Sequence, residues 1–334
     1  MIHLKHEKEF VEKYLKARKW LHPKETIEGL EKPGDGNMNF TLRVKTNLRS
    51  FIIKQSRDYV EKYPSVSAPE TRALREAEFY KLIGSNEYLK SMMPNLLQVD
   101  PNNNVLMMDD LGAGVDFTYL YRDTGKLSKS KIDVLTSFLV ELHSSITREN
   151  SPTYISNKKM RKLNHEHIFI YPYLADNGLD LDNILPGLKA VGEAVKGNTR
   201  LQTVLREVGK IYLSDGEYLL HGDYFPGSWL KTTDGIKIID PEFCFFGPVE
   251  YEIGVMIAHL KLADQPREVI EYALRKYADQ LAFDIVLQQQ FTGAEILRRI
   301  LGLAQLPLSI GLEKRKNLVE EAMEGVLGSK ADSQ

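Results

Sequence analysis

The period of the apolar residues changes near residue 111, and that change limits the folds open to this chain. Before it, apolar runs are short and bounded by turn residues. Phe40 to Val44 alternates apolar with polar, Phe51 to Gln55 follows the turn-like Thr46-Asn47-Leu48, and Val105 to Met108 ends in Asp109-Asp110-Leu111-Gly112-Ala113-Gly114. Runs of that length and period are strands. Two helical stretches lie around them: Glu7 to Trp20 places Phe10, Val11, Tyr14, Leu15 and Ala17 at helical spacing, and Ser67-Ala68-Pro69-Glu70 reads as a capping box opening a helix that runs to Ile83. Beyond residue 111 helical periodicity takes over, in segments 131–143, 185–195, 201–212, 255–262, 267–281, 292–306 and 315–327. The 334 residues therefore divide into 1–110, sheet with helices, and 111–334, mostly helical, which is an α+β organisation in two lobes.

Composition removes several function classes. A formal net charge of −2 gives no field to attract nucleic acid or an anionic membrane. Cys244 is the only cysteine, so an internal disulfide and a cysteine-rich metal site are both excluded. Residues Met1 to Leu21 scatter Lys, Glu and His through their apolar positions, unlike a signal peptide, and no apolar run is long enough to span a bilayer. The expectation is a soluble cytoplasmic protein with a small-molecule acceptor as partner, no nucleic acid and no membrane; a homodimer is left open.

Two apolar runs in the second half each deliver carboxylates into a loop. Leu219-Leu220 leads into His221-Gly222-Asp223-Tyr224-Phe225-Pro226-Gly227-Ser228, and Ile236-Lys237-Ile238-Ile239 leads into Asp240-Pro241-Glu242-Phe243. Phosphoryl transfer needs such a division: one carboxylate orients or accepts the proton of the attacking hydroxyl, and others hold the magnesium that neutralises the phosphates. Asp223 suits the first task, Asp240 and Glu242 the second, and hard oxygen ligands match magnesium. For His221 the reading is an organiser of its loop.

The first lobe carries matching features. Pro33-Gly34-Asp35-Gly36-Asn37-Met38-Asn39-Phe40 precedes a strand, and Gly34, Gly36 and Asn37 allow the backbone to approach phosphates. Lys54 sits inside the apolar strand Phe51-Ile52-Ile53-Lys54-Gln55, where an ammonium needs an anion to meet. Glu76 shares a helix face with Phe79, Tyr80 and Ile83 and is the expected partner, with Glu78 the alternative. A lysine on ATP phosphates steadied by a helix glutamate is the kinase arrangement.

Together these motifs resemble the aminoglycoside and choline kinase superfamily, whose catalytic loop reads His-Gly-Asp with an Asn five residues after the Asp. Here that place holds Ser228. The His-Gly-Asp, Gly-Ser and Asp-Pro-Glu-Phe combination is similar to the 5-methylthioribose kinase family in particular, as are Gly34 to Phe40, the strand ending in Lys54-Gln55, the stretch Leu163 to Tyr173 and the hinge-like Met108-Asp109-Asp110-Leu111. The resemblance covers Tyr14 to Leu327. It implies a protein-kinase-like fold, ATP and magnesium as cofactors, Asp240 and Glu242 as metal ligands, and adenine read by backbone groups of Asp109 and Leu111. It also implies that Arg298-Arg299-Ile300-Leu301-Gly302-Leu303-Ala304 corresponds to a paired-arginine substrate motif. Thr292-Gly293-Ala294-Glu295 is expected to cap that helix, with Gly302 one turn beyond Arg299 leaving room beside it; the other reading makes both arginines solvated. His165 and His167 lack the spacing of a helical metal site and read as structural.

Three departures lie on the acceptor side. Gly254 to Gln290 is short and lacks the family's tryptophan-rich loop, Glu252 stands where related families have Asp, and Tyr224-Phe225-Pro226 replaces Leu-His-Thr. The expected activity is transfer of the γ-phosphoryl of ATP to a hydroxyl of a methylthioribose-like sugar. The alternatives are another small acceptor, such as an amino alcohol, an aminoglycoside or a different sugar, and a nucleotide-binding pseudokinase that regulates a partner.

Overall fold

The computed structural model describes the chain except for residues 35, 37, 124 and 329–334. Helix α1 (Lys8–Ala17) precedes a five-stranded antiparallel sheet built from β1 (Ile27–Glu31), β2 (Phe40–Thr46), β3 (Ser50–Gln55), β6 (Leu96–Asp100) and β7 (Val105–Asp109), in the order β1-β2-β3-β7-β6. Side chains alternate across a strand, and β7 shows the consequence: Val105 and Met107 enter an apolar cluster with Val11 and Leu15 of α1, whereas Leu106 and Met108 enter the cluster that holds Ala77 and Phe79 of α2 (Arg72–Ile83). Lys54 is the register partner of Leu106, so it lies on the α2 side of the sheet.

Strands β1 and β6 have no counterpart among the runs expected from sequence. Both are edges with few buried positions, and their apolar alternation is correspondingly faint. The start of α2 also differs from expectation. Ser67 closes a small hairpin of β4 (Tyr59–Val60) and β5 (Tyr63–Ser67), its hydroxyl donates to the Asp58 carbonyl, and the helix begins after Thr71 with no side-chain cap. The capping-box spacing was present, but the hairpin uses the serine.

Beyond α3 (Glu87–Met92) and the 109–114 connection, helices dominate: α4 (Lys129–Ser145), α5 (Lys158–His165), α6 (Leu181–Ile184), α7 (Leu188–Lys196), α8 (Thr199–Leu213), α9 (Val249–Leu262), α10 (Arg267–Ala278), α11 (Ile285–Leu301) and α12 (Leu312–Leu327). Short strands lie among them in sequence. The ladder of β8 (Val115–Asp116), β10 (Trp229–Thr232) and β11 (Gly235–Ile238) lies beside the pair β9 (Tyr218–Leu220) and β12 (Phe245–Gly247). No helix among the described residues is long and apolar enough to cross a membrane.

Helix α11 corrects two expectations. It is capped by Asp284, which accepts from the Val286 and Leu287 N–H groups, and Thr292 to Glu295 lie buried in its middle, where the Thr292 hydroxyl donates to the Gly254 carbonyl. Gly302 ends the helix in extended conformation (φ −102°, ψ −176°), and a Cβ there would lie 2.6 Å from the Arg298 carbonyl oxygen. Its role is close approach to the Arg298 carbonyl and the Pro172 ring at the helix end, where room beside Arg299 was expected.

Candidate active site

The loop after β9 is held from beneath by a carboxylate. Glu252, fully buried on α9, accepts the His221 N–H (2.9 Å) and the Gly222 N–H (2.7 Å). His143 lies 3.1 Å from the same carboxylate and is tied in turn to the Tyr277 hydroxyl at 2.7 Å. Gly222 has φ +85°, and a Cβ there would meet the Phe243 carbonyl oxygen at 2.2 Å, so only glycine lets this loop pack on the next one. His221 completes the junction. Burial holds its pKa below the ordinary value, so the ring is neutral, and its Nε2 donates to the Ile239 carbonyl at 2.9 Å. The imidazole therefore staples the Asp223 loop to the strand that leads into Asp240.

Asp223 emerges from this platform with its side chain 27% exposed. Burial raises its pKa to about 6 against the opposing pull of Arg299 and Arg298. Ser228 is buried, and its hydroxyl donates to the Asp223 backbone carbonyl at 2.7 Å, so it braces the loop.

Lys54 reaches across from the sheet. Its Nζ lies 2.6 Å from Glu76 Oε2 and 2.8 Å from Asp240 Oδ1, so the lysine bridges α2 and the second acidic loop. Burial would lower its pKa, but Asp240, Glu76 and Glu242 outweigh burial and hold it charged. Glu78 instead pairs with Arg75. Asp240 occupies the left-handed region (φ +65°), a strained conformation before a proline that turns its half-exposed carboxylate out of the strand. Glu242 is buried, and its Oε2 takes the Asn39 amide at 2.8 Å and faces Arg72 Nε at 3.4 Å.

Gly34 and Gly36 lie in the β1–β2 connection, where a Cβ at either position would meet nothing within 4 Å; Asn37 lies outside the described residues. At the 109–114 connection Asp110 is the anchor: Arg43 Nε (2.9 Å), the Ser50 hydroxyl (2.5 Å) and the Gly112 N–H (3.0 Å) all donate to its carboxylate. The Asp109 N–H already donates to the Asn95 carbonyl at 3.0 Å, so that N–H is not free for a ligand. The Leu111 N–H meets no backbone acceptor among the described residues.

Arg298 and Arg299 are both buried, near the end of α11. Glu295 Oε2 lies 3.0 Å from Arg298 Nη1 and Glu295 Oε1 lies 2.6 Å from Arg299 Nε, so neither arginine is solvated. Arg299 Nη2 stands 3.8 Å from Asp223 Oδ1.

The chain from residue 33 to residue 283 matches the family model described as "Phosphotransferase enzyme family". It belongs to that family. Family and relatives make it a kinase that transfers a phosphoryl group to an alcohol. Among curated relatives, methylthioribose kinase of Bacillus velezensis is 25% identical over 82% of this chain and 78% of its own length. Methylthioribose kinase 1 of Oryza sativa subsp. japonica is 27% identical over 70% of this chain and 56% of that one. Among solved structures, choline kinase LicA from Streptococcus pneumoniae superposes with a TM-score of 0.54 at 13% identity, covering 95% of this chain and 98% of that one. The microcompartment-associated aminopropanol kinase gives 0.51 at 16% identity, over 95% of each chain. Those two likenesses establish the kinase-like fold.

The cleft of this phosphotransferase fits a magnesium ion on its own donor set. Asp240 Oδ2 and Glu242 Oε1 have no hydrogen-bond partner among the described residues, while the other oxygen of each carboxylate is anchored from the N-terminal half. No cluster of three or more His, Cys, Asp or Glu side chains suited to a metal occurs among the described residues, His165 and His167 included. Two carboxylates are what magnesium uses when phosphates and water complete its shell.

Several residues at the site escaped the sequence reading. Glu295 was legible in principle, because its i+3 and i+4 neighbours are the two arginines. Asn39 lies within the glycine-rich motif but was not singled out. Arg72, His143 and His259 carry no local signal, since each acts through a contact more than thirty residues away.

Proposed function

We propose that this phosphotransferase moves the γ-phosphoryl group of ATP to a hydroxyl of a methylthioribose-like sugar, with residues 1–110 as the nucleotide lobe and 111–334 as the acceptor lobe. Gly34, Gly36 and Asn37 would face the phosphates, Lys54 steadied by Glu76 would bind them, and backbone groups of Asp109 and Leu111 would meet the adenine. Asp240 and Glu242 would hold magnesium, which supplies positive charge against the phosphates when bound. Asp223 would take the proton of the acceptor hydroxyl; a carboxyl pKa of about 6 keeps it ionised at neutral pH yet basic enough to accept one. Arg298 and Arg299 would engage the acceptor and the phosphoryl group as it moves.

The observation that carries the acceptor reading is Arg299 Nη2, 3.8 Å from Asp223 Oδ1, with Arg298 buried beside it. A cationic amino alcohol would have to approach Asp223 past two guanidiniums, an unfavourable meeting of like charges, whereas a neutral sugar meets donors it can use. The similarity to methylthioribose kinases supports the same choice. The test is ADP release by the purified protein with ATP and magnesium across methylthioribose, ribose, ethanolamine, choline and an aminoglycoside. Turnover is expected with methylthioribose and not with the cationic acceptors. Preference for a cationic acceptor would remove the sugar reading.

A further inference from the structure

Glu295 has no role in the assignments above, yet its buried carboxylate meets three side-chain donors. Besides the two guanidiniums, its Oε1 lies 3.0 Å from His259 Nε2. Burial, with Arg299 and Arg298 adding to it, lowers the His259 pKa to about 4, so the ring is neutral. An ionised carboxylate can only accept, so Nε2 carries the proton and donates it, which leaves Nδ1 as an acceptor for the Tyr121 hydroxyl at 2.5 Å. The Phe225 ring closes the side of the assembly, 5.1 Å from the His259 ring centroid and 5.1 Å below the Arg299 guanidinium. Donors therefore converge on Glu295 from two directions, Tyr121 through His259 on one side and Arg299, beside Asp223, on the other. These four residues come from three elements: the turn at 117–121, α9 and α11.

The gap at the end of this chain is informative. Arg299 points its Nη2 at Asp223 but stops at 3.8 Å, outside hydrogen-bond distance, while its Nε is bound to Glu295 at 2.6 Å and its Nη1 donates to the Ala304 carbonyl at 3.4 Å. A guanidinium free to move would close on the nearest carboxylate and form the short, bidentate pair that arginine favours. Such a pair would remove both groups from use.

We propose that Glu295 is the positioning residue of the acceptor side: it grips both guanidiniums and restrains Arg299 short of a closed ion pair with Asp223, leaving Arg299 for the moving phosphoryl group and Asp223 for the acceptor hydroxyl. This rests on the roles given to Asp223 and Arg299 above. His259 and Tyr121 fix the rotamer of Glu295, and Glu295 acts through Arg299 without touching the acceptor.

Glu295→Gln keeps the shape and removes the charge. In its crystal structure Arg299 should have moved to within about 2.9 Å of Asp223; an Arg299 still standing off overturns the restraint, and this readout needs no acceptor. In kinetics with methylthioribose, kcat should fall about 30- to 100-fold while KM for ATP changes less than about threefold, and Glu295→Asp should recover at least tenfold of the loss, because removing one aligned charge near a transition state has effects of this size. A folded Glu295→Gln protein with kcat near wild type, or with the loss carried by KM for ATP, overturns the proposal. Should Glu295→Gln fail to fold, the pair E295Q/R298M restores neutrality and is measured against R298M alone. A further tenfold loss is expected, and no further loss overturns the proposal. A wild-type protein silent on every acceptor would sink the sugar reading alone, since the Arg299 displacement is read without turnover.

Discussion

The two sides of the cleft are held by different means. On the side proposed for the nucleotide the polar contacts span the molecule: Lys54 of β3 meets Glu76 of α2 and Asp240 of the second acidic loop, and Asn39 and Arg72 reach Glu242. On the side proposed for the acceptor the ion pairs lie within a single helix, with Glu295 gripping Arg298 and Arg299 at i+3 and i+4. The first arrangement joins the sheet to the second acidic loop, and among the described residues one oxygen each of Asp240 and Glu242 has no hydrogen-bond partner. The second centres on α11, with His259 of α9 and Tyr121 completing it.

The comparison can be broken most forcefully at Asp223, which faces both sides. Asp223→Asn should lower kcat by about 10²- to 10⁴-fold, the usual share of a general base, with ATP–magnesium affinity measured by calorimetry changing little. Comparable turnover in the variant would remove Asp223 from the chemistry.

On the nucleotide side, Lys54→Met should lower stability by about 3 kcal/mol, since it leaves the buried Glu76 carboxylate without its ammonium. Burial lifts Glu76 to about 8 even with Lys54 in place, and losing the ammonium lifts it further, so wild type and variant share a protonated Glu76 at lower pH and the loss should grow only as pH rises above 8. Urea unfolding at pH 7 and pH 9 reads both effects. A loss that does not grow between the two pH values would contradict this account of the pair.

A smaller effect returns to Asp223 as a stability residue. Its pKa rises from 3.8 to about 6 in the folded protein, so folding favours the protonated form. That contribution is fully present below about pH 3.8 and is lost as pH rises through 6, after which the ionised carboxylate strains the fold. Asp223→Asn should therefore be more stable than wild type at pH 7.5, by about 1–2 kcal/mol after allowance for partial exposure, with the gain shrinking toward pH 5. A variant less stable at pH 7.5 would show that the neighbouring arginines outweigh burial.

The asymmetry also explains what the amino-acid sequence disclosed. The sheet strands β2, β3 and β7, and the pairing of Lys54 with Glu76, follow from local rules: a charge inside an apolar strand and a glutamate on an apolar helix face each demand a buried partner. The acidic loops were legible because carboxylates follow directly on apolar runs. Edge strands β1 and β6 were silent because each buries only one position fully, so little apolar alternation is imposed on them. The capping signals at Ser67 and Thr292 misled because tertiary contacts took those hydroxyls, to the Asp58 and Gly254 carbonyls respectively. The supports of the catalytic loop, Glu252 and His143, meet their partners across long stretches of chain, which no window of sequence reports.

The most direct test of the division between the two sides is Arg299→Ala, measured for acceptor turnover and nucleotide affinity in one preparation. A charge-assisted contact contributes about 1.5–3 kcal/mol, so kcat/KM for methylthioribose should fall roughly 10- to 150-fold while the dissociation constant for ATP–magnesium stays within about twofold. Equal losses in both quantities, or no loss in either, would contradict the assignment of Arg299 to the acceptor side.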